Sequence, residues 1–515
     1  MFLHLIQNMI RKINVEKAAV SLCAIAKTKE IAPGESTNIT LTVNAEDIAS
    51  YNSSYMNEDK SFGAYMLDAG EYSFILGDNA HTAYDSSVVV LNSDYFYSGE
   101  NKRESDEVQA INQFEDAARG EYLSRQNGFE NYASAMASVT DVLTSTDWED
   151  NGINFYSDLD NEITTEYVEG VDYASDGNLT LKDMVGLDFD DEKWDELISQ
   201  LTIEELENLV AIATYQSPAI DSIAKGATSD SDGPLGISSM FNSDLNSVAY
   251  PCIPILSATF NVDLAKKMGE LVSDQAHNKG VTGWYAPAMD THRSAYSGRN
   301  FEYYSEDAWL GAAMGSACVS GARDRGMEVY IKHFALNDQD TNRDSMLHTY
   351  SNEQAIREIY LKPFEYSVKV GKASAIMTSM NYIGNIFAGG HLNLQQNVLR
   401  GEWGFRGKSL TDMDTVNEGA KVDACMRAGT DSWLTVIGIK FDEDVPNADI
   451  YYLQRAAKNI LYAEANSKTY ESVIANWQAY FAILYICLCA IVAVLIINIV
   501  RSKNNKTEVI VSSEE

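Results

Sequence analysis

The stretch "VYIKHFALNDQDTNRD", Val329 to Asp344, runs apolar, stops at Lys332 and His333, and then fills with acids and amides. The same device recurs in "GVTGWYAPAMD", "SAIMTSMN" and "KSLTDMD", short apolar runs that end in charge or amide. Together these ends nominate Asp232, Arg299, Lys332, His333, Asn381 and Asp412 as the rim of one pocket. Carboxylates, cations and an imidazole gathered there suit acid–base or nucleophilic chemistry, or a grip on a polar substrate. Plainer readings stand beside these. Asp232 before Gly-Pro can be a turn residue, Asp412 can cap a helix, and a strand-end His is often just a satisfied polar group.

Two stretches imitate calcium loops. Asp338, Asp340, Asn342 and Asp344 alternate like ligands, but Arg343 stands where Gly is required and Thr349 holds position twelve. "DYASDGNLTLKD", from Asp172 to Asp183, places Gly177 correctly yet has Ala174 at a ligand position and Asp183 in place of the bidentate Glu. A plain turn before a helix accounts for it better. The six cysteines are scattered, no C-x-x-C occurs, and no His pair has metal-ligand spacing. No metal and no cofactor is therefore expected, and no phosphate-binding Gly loop follows any strand.

A shared rim requires elements that bring distant strand ends together. From 191 to 468 compact apolar runs alternate with helical patterns such as "EKWDELISQLTIEELENLVAIA" and "NEQAIREIYLKPFEYSVKVG". Repeated β-then-α units imply an α/β fold with a parallel sheet, and the length suits a (β/α)8 TIM-like barrel whose strand ends form the site. Residues 1–97 read instead as a small β-sandwich. "APGESTNITLTVNA" alternates Ile39, Leu41 and Val43 with threonines, "AGEYSFILG" sets Tyr72, Phe74 and Leu76 on one face, and "SSVVVL" closes the set. Residues 98–190 are looser and acidic, and read as a connecting segment draped over the barrel.

The chain has 515 residues, enough for about three domains, and a hydrophobic content of 45% that supports a large core. Its net charge of −37 repels phosphate backbones and excludes nucleic acid as a partner. Near the C-terminus, "AYFAILYICLCAIVAVLIINIV" from Ala479 to Val500 would span roughly 33 Å as a helix, enough to cross a bilayer core. Trp477 and Tyr480 suit one interface, and Arg501, Lys503 and Lys506 follow it. A transmembrane helix is expected over 477–500, with a cytoplasmic tail over 501–515. That makes the protein single-pass in the cell membrane, with its catalytic domain outside. "MFLHLIQNMIRK" lacks the order of a signal peptide, so either the anchor directs insertion or the natural beginning is missing.

The motifs, in order, are "SDGPLGI" (Ser231 to Ile237), "SGRNFEYYSED" (Ser297 to Asp307), "IKHFALND" (Ile331 to Asp338) and "REIYLKPFE" (Arg357 to Glu365). "MTSMN", "LRGEWGFRGKSLTDMD" and "RAGTD" follow. From Asp195 to Ser467 this pattern resembles the barrel domain of glycoside hydrolase family 3, the β-glucosidase family. The preceding β segment looks like the family's fibronectin-III-like module, in the permuted order in which an α/β sandwich domain precedes both.

The resemblance implies retaining hydrolysis of β-glucosides or related β-glycosides, with a β-linked oligosaccharide or glucoside as substrate. Such hydrolysis needs a nucleophilic carboxylate and an acid/base group. By resemblance Asp412 is the nucleophile, while Asp232, Arg299, Lys332 and His333 bind the sugar. Glu302 is expected to be an ion-pair partner of Arg299. Met380 and Met413 stand where family members often carry an aromatic and a Trp, which keeps the substrate wall apolar but without rigid stacking.

One branch of the family marks a His-Asp acid with "KHFPGHGDT". Here the residues are "KHFALNDQD", with Asn337 at the histidine position; Asp338 and Asp340 could substitute by position, but read better as solvated loop acids. The acid/base is then expected from a separate α/β sandwich domain. The alternative is a surface-anchored saccharide-binding protein that lacks it.

Overall fold

Seven short strands open the chain, in two antiparallel sheets. Strands β1 (Phe2–Asn8), β2 (Ser21–Ile25), β5 (Gly70–Gly77) and β6 (Asp85–Leu91) form one sheet in the order β2-β1-β5-β6. Strands β3 (Ser50–Met56), β4 (Phe62–Leu67) and β7 (Tyr95–Tyr97) form the other in the order β3-β4-β7. A small core gathers Cys23, Tyr51, Tyr65, Leu67, Tyr72 and Tyr97, with the rings of Tyr51 and Tyr65 edge to face at 5.0 Å. This computed structural model describes residues 2–8, 15–136, 172–413, 422–436 and 447–467, with position 439 and scattered positions from 485 to 497.

The sequence places strands over Gly70–Gly77 and Asp85–Leu91, and the structure has them. The strand expected at Ile39–Val43 is absent. Its alternation survives, with Ile39, Leu41 and Val43 half-buried and Thr40 and Thr42 exposed, but no neighbouring strand pairs with it. Alternation records which side faces the core; a ladder also needs a partner backbone.

The described parts of 98–136 run against the outside of the next layer. Arg103 pairs with Asp106 at 2.8 Å and with Glu365 at 2.7 Å, all three buried. The backbone N–H groups of Gln113 and Phe114 donate to the Glu353 carboxylate at 3.0 and 2.7 Å. At 172–183 the calcium-like stretch is a turn. Thr180 and Asp183 cap one another and start the short helix Leu181–Met184, the plain alternative weighed above.

From residue 193 onward helices and strands alternate. Thr202 and Glu205 form a capping box, and the helix Ile203–Ala211 buries Leu206, Leu209 and Val210 at helical spacing. Asn261 caps Val262–His277, and Asp307 caps Ala308–Asp324. These two helices meet closely because each offers a glycine. A Cβ on Gly269 would lie 2.0 Å from the Cys318 carbonyl oxygen, and one on Gly321 would lie 2.0 Å from that of Lys266.

The sheet they cover runs β16-β13-β11-β10-β9-β8, with β8 Gln216–Ser217, β9 Thr228–Asp232, β10 Gly283–Tyr285, β11 Glu328–Phe334, β13 Ala375–Thr378 and β16 Lys408–Leu410. Strands β9, β10, β11, β13 and β16 are mutually parallel, and a parallel bridge from Leu410 to Ser432 adds a further segment. The Trp433 N–H then donates to the Val210 carbonyl at 3.2 Å, so the wall returns to the residues just before β8. The TIM-like domain therefore departs from eight regular β/α units. Among the described residues the wall has six strands and one bridged segment, and β8 is antiparallel to β9. Only residues 218–227 join β8 to β9, too few for the crossover helix that a parallel pair demands. Short strands β12 (His348–Thr349), β14 (Tyr382–Ile383) and β15 (Ile386–Phe387) form a small separate sheet.

Strand β11 is buried at every position. Val329 and Ile331 join the core beneath the helices, whereas Tyr330 joins the inner cluster with Tyr285, Met377 and Leu410. Period-two alternation thus sends Lys332 inward with Tyr330.

The chain divides into two units, Met1–Ser467 and Lys468–Glu515. The transmembrane helix expected at 477–500 lies almost wholly outside the described residues. Among those that are described, no helix is long and apolar enough to cross a membrane.

Candidate active site

The parallel strands end on one rim, as a barrel requires. Asp232 is the last residue of β9, Lys332 and His333 lie near the end of β11, and Asp412 follows β16 by two residues. Consecutive strand residues should point to opposite faces, yet Lys332 and His333 both reach the site. The pairing of β11 with β13 shifts register between Ile331 and Phe334, and such an irregularity re-aims the side chains.

Lys332 Nζ donates to Asp232 Oδ1 at 2.7 Å. Burial pushes the Asp232 carboxyl up, but the adjacent Lys332 ammonium, the Gly233 N–H and Arg299 together hold it below the usual carboxylate range. Asp412 accepts from its neighbour's N–H, that of Met413, at 2.7 Å, and its Oδ2 lies 3.7 Å from His333 Nε2. Burial, with Arg299, Lys332 and Arg343 nearby, lowers the His333 pKa well below its ordinary value, so the imidazole is neutral.

Two residues of this cluster were not singled out from the sequence. Arg343 Nη1 donates to Asp412 Oδ2 at 2.9 Å, and Arg343 Nε pairs with Asp340 at 3.0 Å. Asp290, the residue that ends "GVTGWYAPAMD", lies buried behind His333. It accepts from the backbone N–H of His333 at 2.9 Å and of Asn337 at 3.0 Å, with His333 Nδ1 at 3.5 Å. Burial and the neighbouring Asp338 push its carboxyl up to about 8.

Arg299 pairs with Glu302, as its motif suggests, and lies 4.0 Å from Asp340. Met413 packs against the inner cluster of Tyr285, Tyr330 and Leu410, and Met380 is half-buried two residues beyond β13. Asn381 is wholly buried, and its amide donates to the Ala335 carbonyl at 3.2 Å and to the Thr349 hydroxyl at 3.1 Å, so it ties the end of β11 to β12. Asp338 is not a solvated loop acid, whereas the Asp340 side chain is 39% exposed. Asp338 accepts from Thr291 at 3.2 Å, and burial pushes it up to about 6, while Asp340 sits between two arginines.

Chemically, the site offers one carboxylate steadied by an arginine, opposite a Lys–Asp pair able to hold neighbouring hydroxyls. Among the described residues the polar partners of the Asp412 carboxylate are Arg343, His333 and the Met413 N–H. No second carboxylate is among them. No cluster of three His, Cys, Asp or Glu side chains able to hold a metal occurs among the described residues either.

A closed α/β wall with carboxylates and cations at its strand ends defines a barrel enzyme site. Residues 231–460 match the glycosyl hydrolase family 3 N-terminal domain. A β-glucosidase of Ruminococcus albus is 30% identical over 479 residues, covering 86% of this chain and 46% of that protein. β-Glucosidase A of Butyrivibrio fibrisolvens is 28% identical over 414 residues, covering 77% of this chain and 47% of its own length. The crystal structure of a β-glucosidase from Paenibacillus barengoltzii superposes with a TM-score of 0.67 over 92% of this chain and 52% of that one. At 23% identity that likeness shows the fold. The chain is a β-glucosidase-like member of glycosyl hydrolase family 3, and it spans about half the length of the curated relatives it matches.

Proposed function

We propose that the protein is a retaining β-glucosidase in which Asp412 attacks the anomeric carbon and forms a glycosyl-enzyme intermediate. The observation that carries this reading is the Asp412 carboxylate, steadied by Arg343 at 2.9 Å at the same strand-end rim as the Lys332–Asp232 pair. Asp232 and Lys332 hold sugar hydroxyls, His333 and Arg299 complete the polar wall, and Met380 and Met413 supply apolar surface. The similarity to β-glucosidases of Ruminococcus albus and Butyrivibrio fibrisolvens supports a glucoside substrate.

The acid/base group comes from outside the described residues, from a separate α/β sandwich domain. The N-terminal β unit is fibronectin-III-like, on the strength of its four- and three-stranded antiparallel sheets. The 477–500 segment anchors the protein in the cell membrane with the barrel outside. Tyr485, Ile486, Leu488, Val492, Val494 and Ile497 are helical and exposed, which supports a segment meant for an apolar surrounding. A fluorinated glucoside should label Asp412 covalently, and Asp412→Asn should lower kcat by at least ~10³-fold. An unlabelled Asp412, or full activity in the variant, would overturn the reading.

Among the described residues the carboxylate next to Asp412, that of Asp340, is paired with Arg343 and Arg299 rather than free to donate a proton, which favours one further reading, a saccharide-binding protein without turnover. A chromogenic glucoside assay paired with calorimetry separates them: binding without release of the chromophore selects the second.

A further inference from the structure

Beside the polar site lies a cavity of about 460 Å³ that shares Asp232 with it. Its walls are of a different character: Tyr215, Pro234, Leu235, Met240, Val248 and Phe301. Met240 and Val248 are 77% and 64% exposed, so large apolar side chains stand open to solvent around the mouth.

Two polar side chains of the cavity wall, Ser247 and Asn246, bond to the loop's own backbone. The Ser247 hydroxyl accepts from the Ile237 N–H at 2.8 Å and donates to the Val248 carbonyl at 3.2 Å. The Asn246 side-chain Oδ1 accepts from the Ser239 N–H at 2.8 Å. A second sugar entering here would lose water from its hydroxyls and find few partners, which is costly.

The cavity is also preformed. Gly233 and Gly236 have φ of +117° and +119°, and a Cβ on Gly233 would lie 1.8 Å from the Gly236 carbonyl oxygen, so the loop folds tightly on itself. Trp284 Nε1 donates to the Gly233 carbonyl at 2.7 Å, and Tyr215 stacks on Tyr285 with ring centres 5.3 Å apart. A volume of this size is within the range of small-molecule sites, and an apolar wall with one carboxylate at its edge orients a ligand that is polar at one end only.

We propose that this cavity receives the leaving group of the glycoside, and that this group is an aromatic or similarly apolar ring rather than a second sugar. The inference rests on the β-glucosidase reading and adds the class of aglycone. The sugar stays on Asp232 and Lys332, while the ring lies against Val248, Met240 and Phe301.

The test is calorimetry on the full chain with three non-hydrolysable ligands: methyl β-thioglucoside, phenyl β-thioglucoside and thiocellobiose. The phenyl compound is expected to bind at least ~10-fold more tightly than the methyl one, from burial of the ring. In Val248→Asp and in Phe301→Ser, each with an unchanged circular dichroism spectrum, that advantage should fall below about threefold while Kd for the methyl compound stays put. Thiocellobiose binding as tightly as the phenyl compound, or an advantage that survives both substitutions, overturns the proposal. If the methyl and phenyl compounds bind equally, the aglycone assignment fails and the glucoside reading stands. If nothing binds, both fall.

Discussion

Arg343 Nη1 lies 2.9 Å from Oδ2 of Asp412, while its Nε lies 3.0 Å from Asp340. One guanidinium thus joins the candidate nucleophile to a loop acid and fixes where the carboxylate points. A fixed carboxylate reacts faster than one that must be oriented during the reaction. Arg343→Met is expected to reduce kcat/KM by about 10²-fold, with kcat taking most of the loss. Steady-state kinetics on an aryl glucoside measures it, and a change confined to KM would reassign Arg343 to ground-state binding alone.

The Lys332–Asp232 pair sets a pH dependence. Burial alone would raise the Asp232 carboxyl, but Lys332 beside it brings the pKa below the ordinary 3.8. A depressed carboxyl stays ionised, and ready to accept sugar hydroxyls, as the pH falls toward its lowered pKa. Lys332→Met removes the largest of the depressing influences and leaves the Gly233 N–H and Arg299, so Asp232 protonates at a higher pH and the acid limb of sugar binding moves upward. The variant should also bind methyl β-thioglucoside at least ~10-fold more weakly at pH 7, the weight of a charge-assisted hydrogen bond. Calorimetric titrations from pH 4 to 7 would reveal both effects, and an acid limb unmoved in the variant would refute the pairing as the cause.

How much of this was legible in the sequence follows from what each residue depends on. Lys332 and Asp412 follow apolar runs, and a parallel barrel brings strand ends together, so that pattern suffices to place them; Asp232 ends a strand that reads TSDSD, and only the family motif picks it out from a turn. Asp290 carried the same signal, since it also ends an apolar run. Its role behind His333 comes from two backbone N–H groups that no side-chain pattern records. Arg343 was hidden in a loop whose alternating acids imitate calcium ligands. Asn381 has the signal of a rim residue, but its amide N–H groups bond Ala335 and Thr349, partners that no spacing in the sequence records. The register shift in β11 that aims His333 into the site is a property of its pairing with β13, and no spacing in the sequence encodes it.

Arg357 belongs to the motif "REIYLKPFE", but its work is structural. It is 2% exposed, pairs with Glu402 and Glu353 at 2.7 Å each, and lies over the Tyr51 ring at 4.6 Å. It therefore links strand β3 to the helices of the barrel. Arg357→Met leaves two buried carboxylates without their cation, which is expected to cost about 3–5 kcal/mol in urea unfolding. The double variant Arg357→Met, Glu402→Gln should recover part of that loss, because one stranded charge is gone. A loss in the single variant below about 1 kcal/mol, the size of an exposed pair, would contradict this account.

The barrel interior holds a second set of buried charges at the opposite ends of the strands. Lys408 donates to the Tyr330 hydroxyl at 3.0 Å, and Tyr330 donates to Asp230 at 2.9 Å. Lys225 pairs with Glu464 at 3.0 Å, and Glu328 shares this environment. Three acids face two lysines, so the set is relieved when one acid keeps its proton. Burial first, with Asp230 and Glu464 adding to it against the opposing pull of Lys408, pushes Glu328 up to about 8. A carboxyl raised in the folded state binds a proton that the unfolded chain releases near 4.5. Its stabilisation is complete below pH 4.5 and is lost as the pH climbs through 8. Wild-type unfolding free energy should therefore fall between pH 5.5 and 8.5 relative to Glu328→Gln, by on the order of a few kcal/mol. Urea midpoints for both proteins at the two pH values supply the test, and parallel pH profiles would show that Glu328 is ionised in the native barrel throughout.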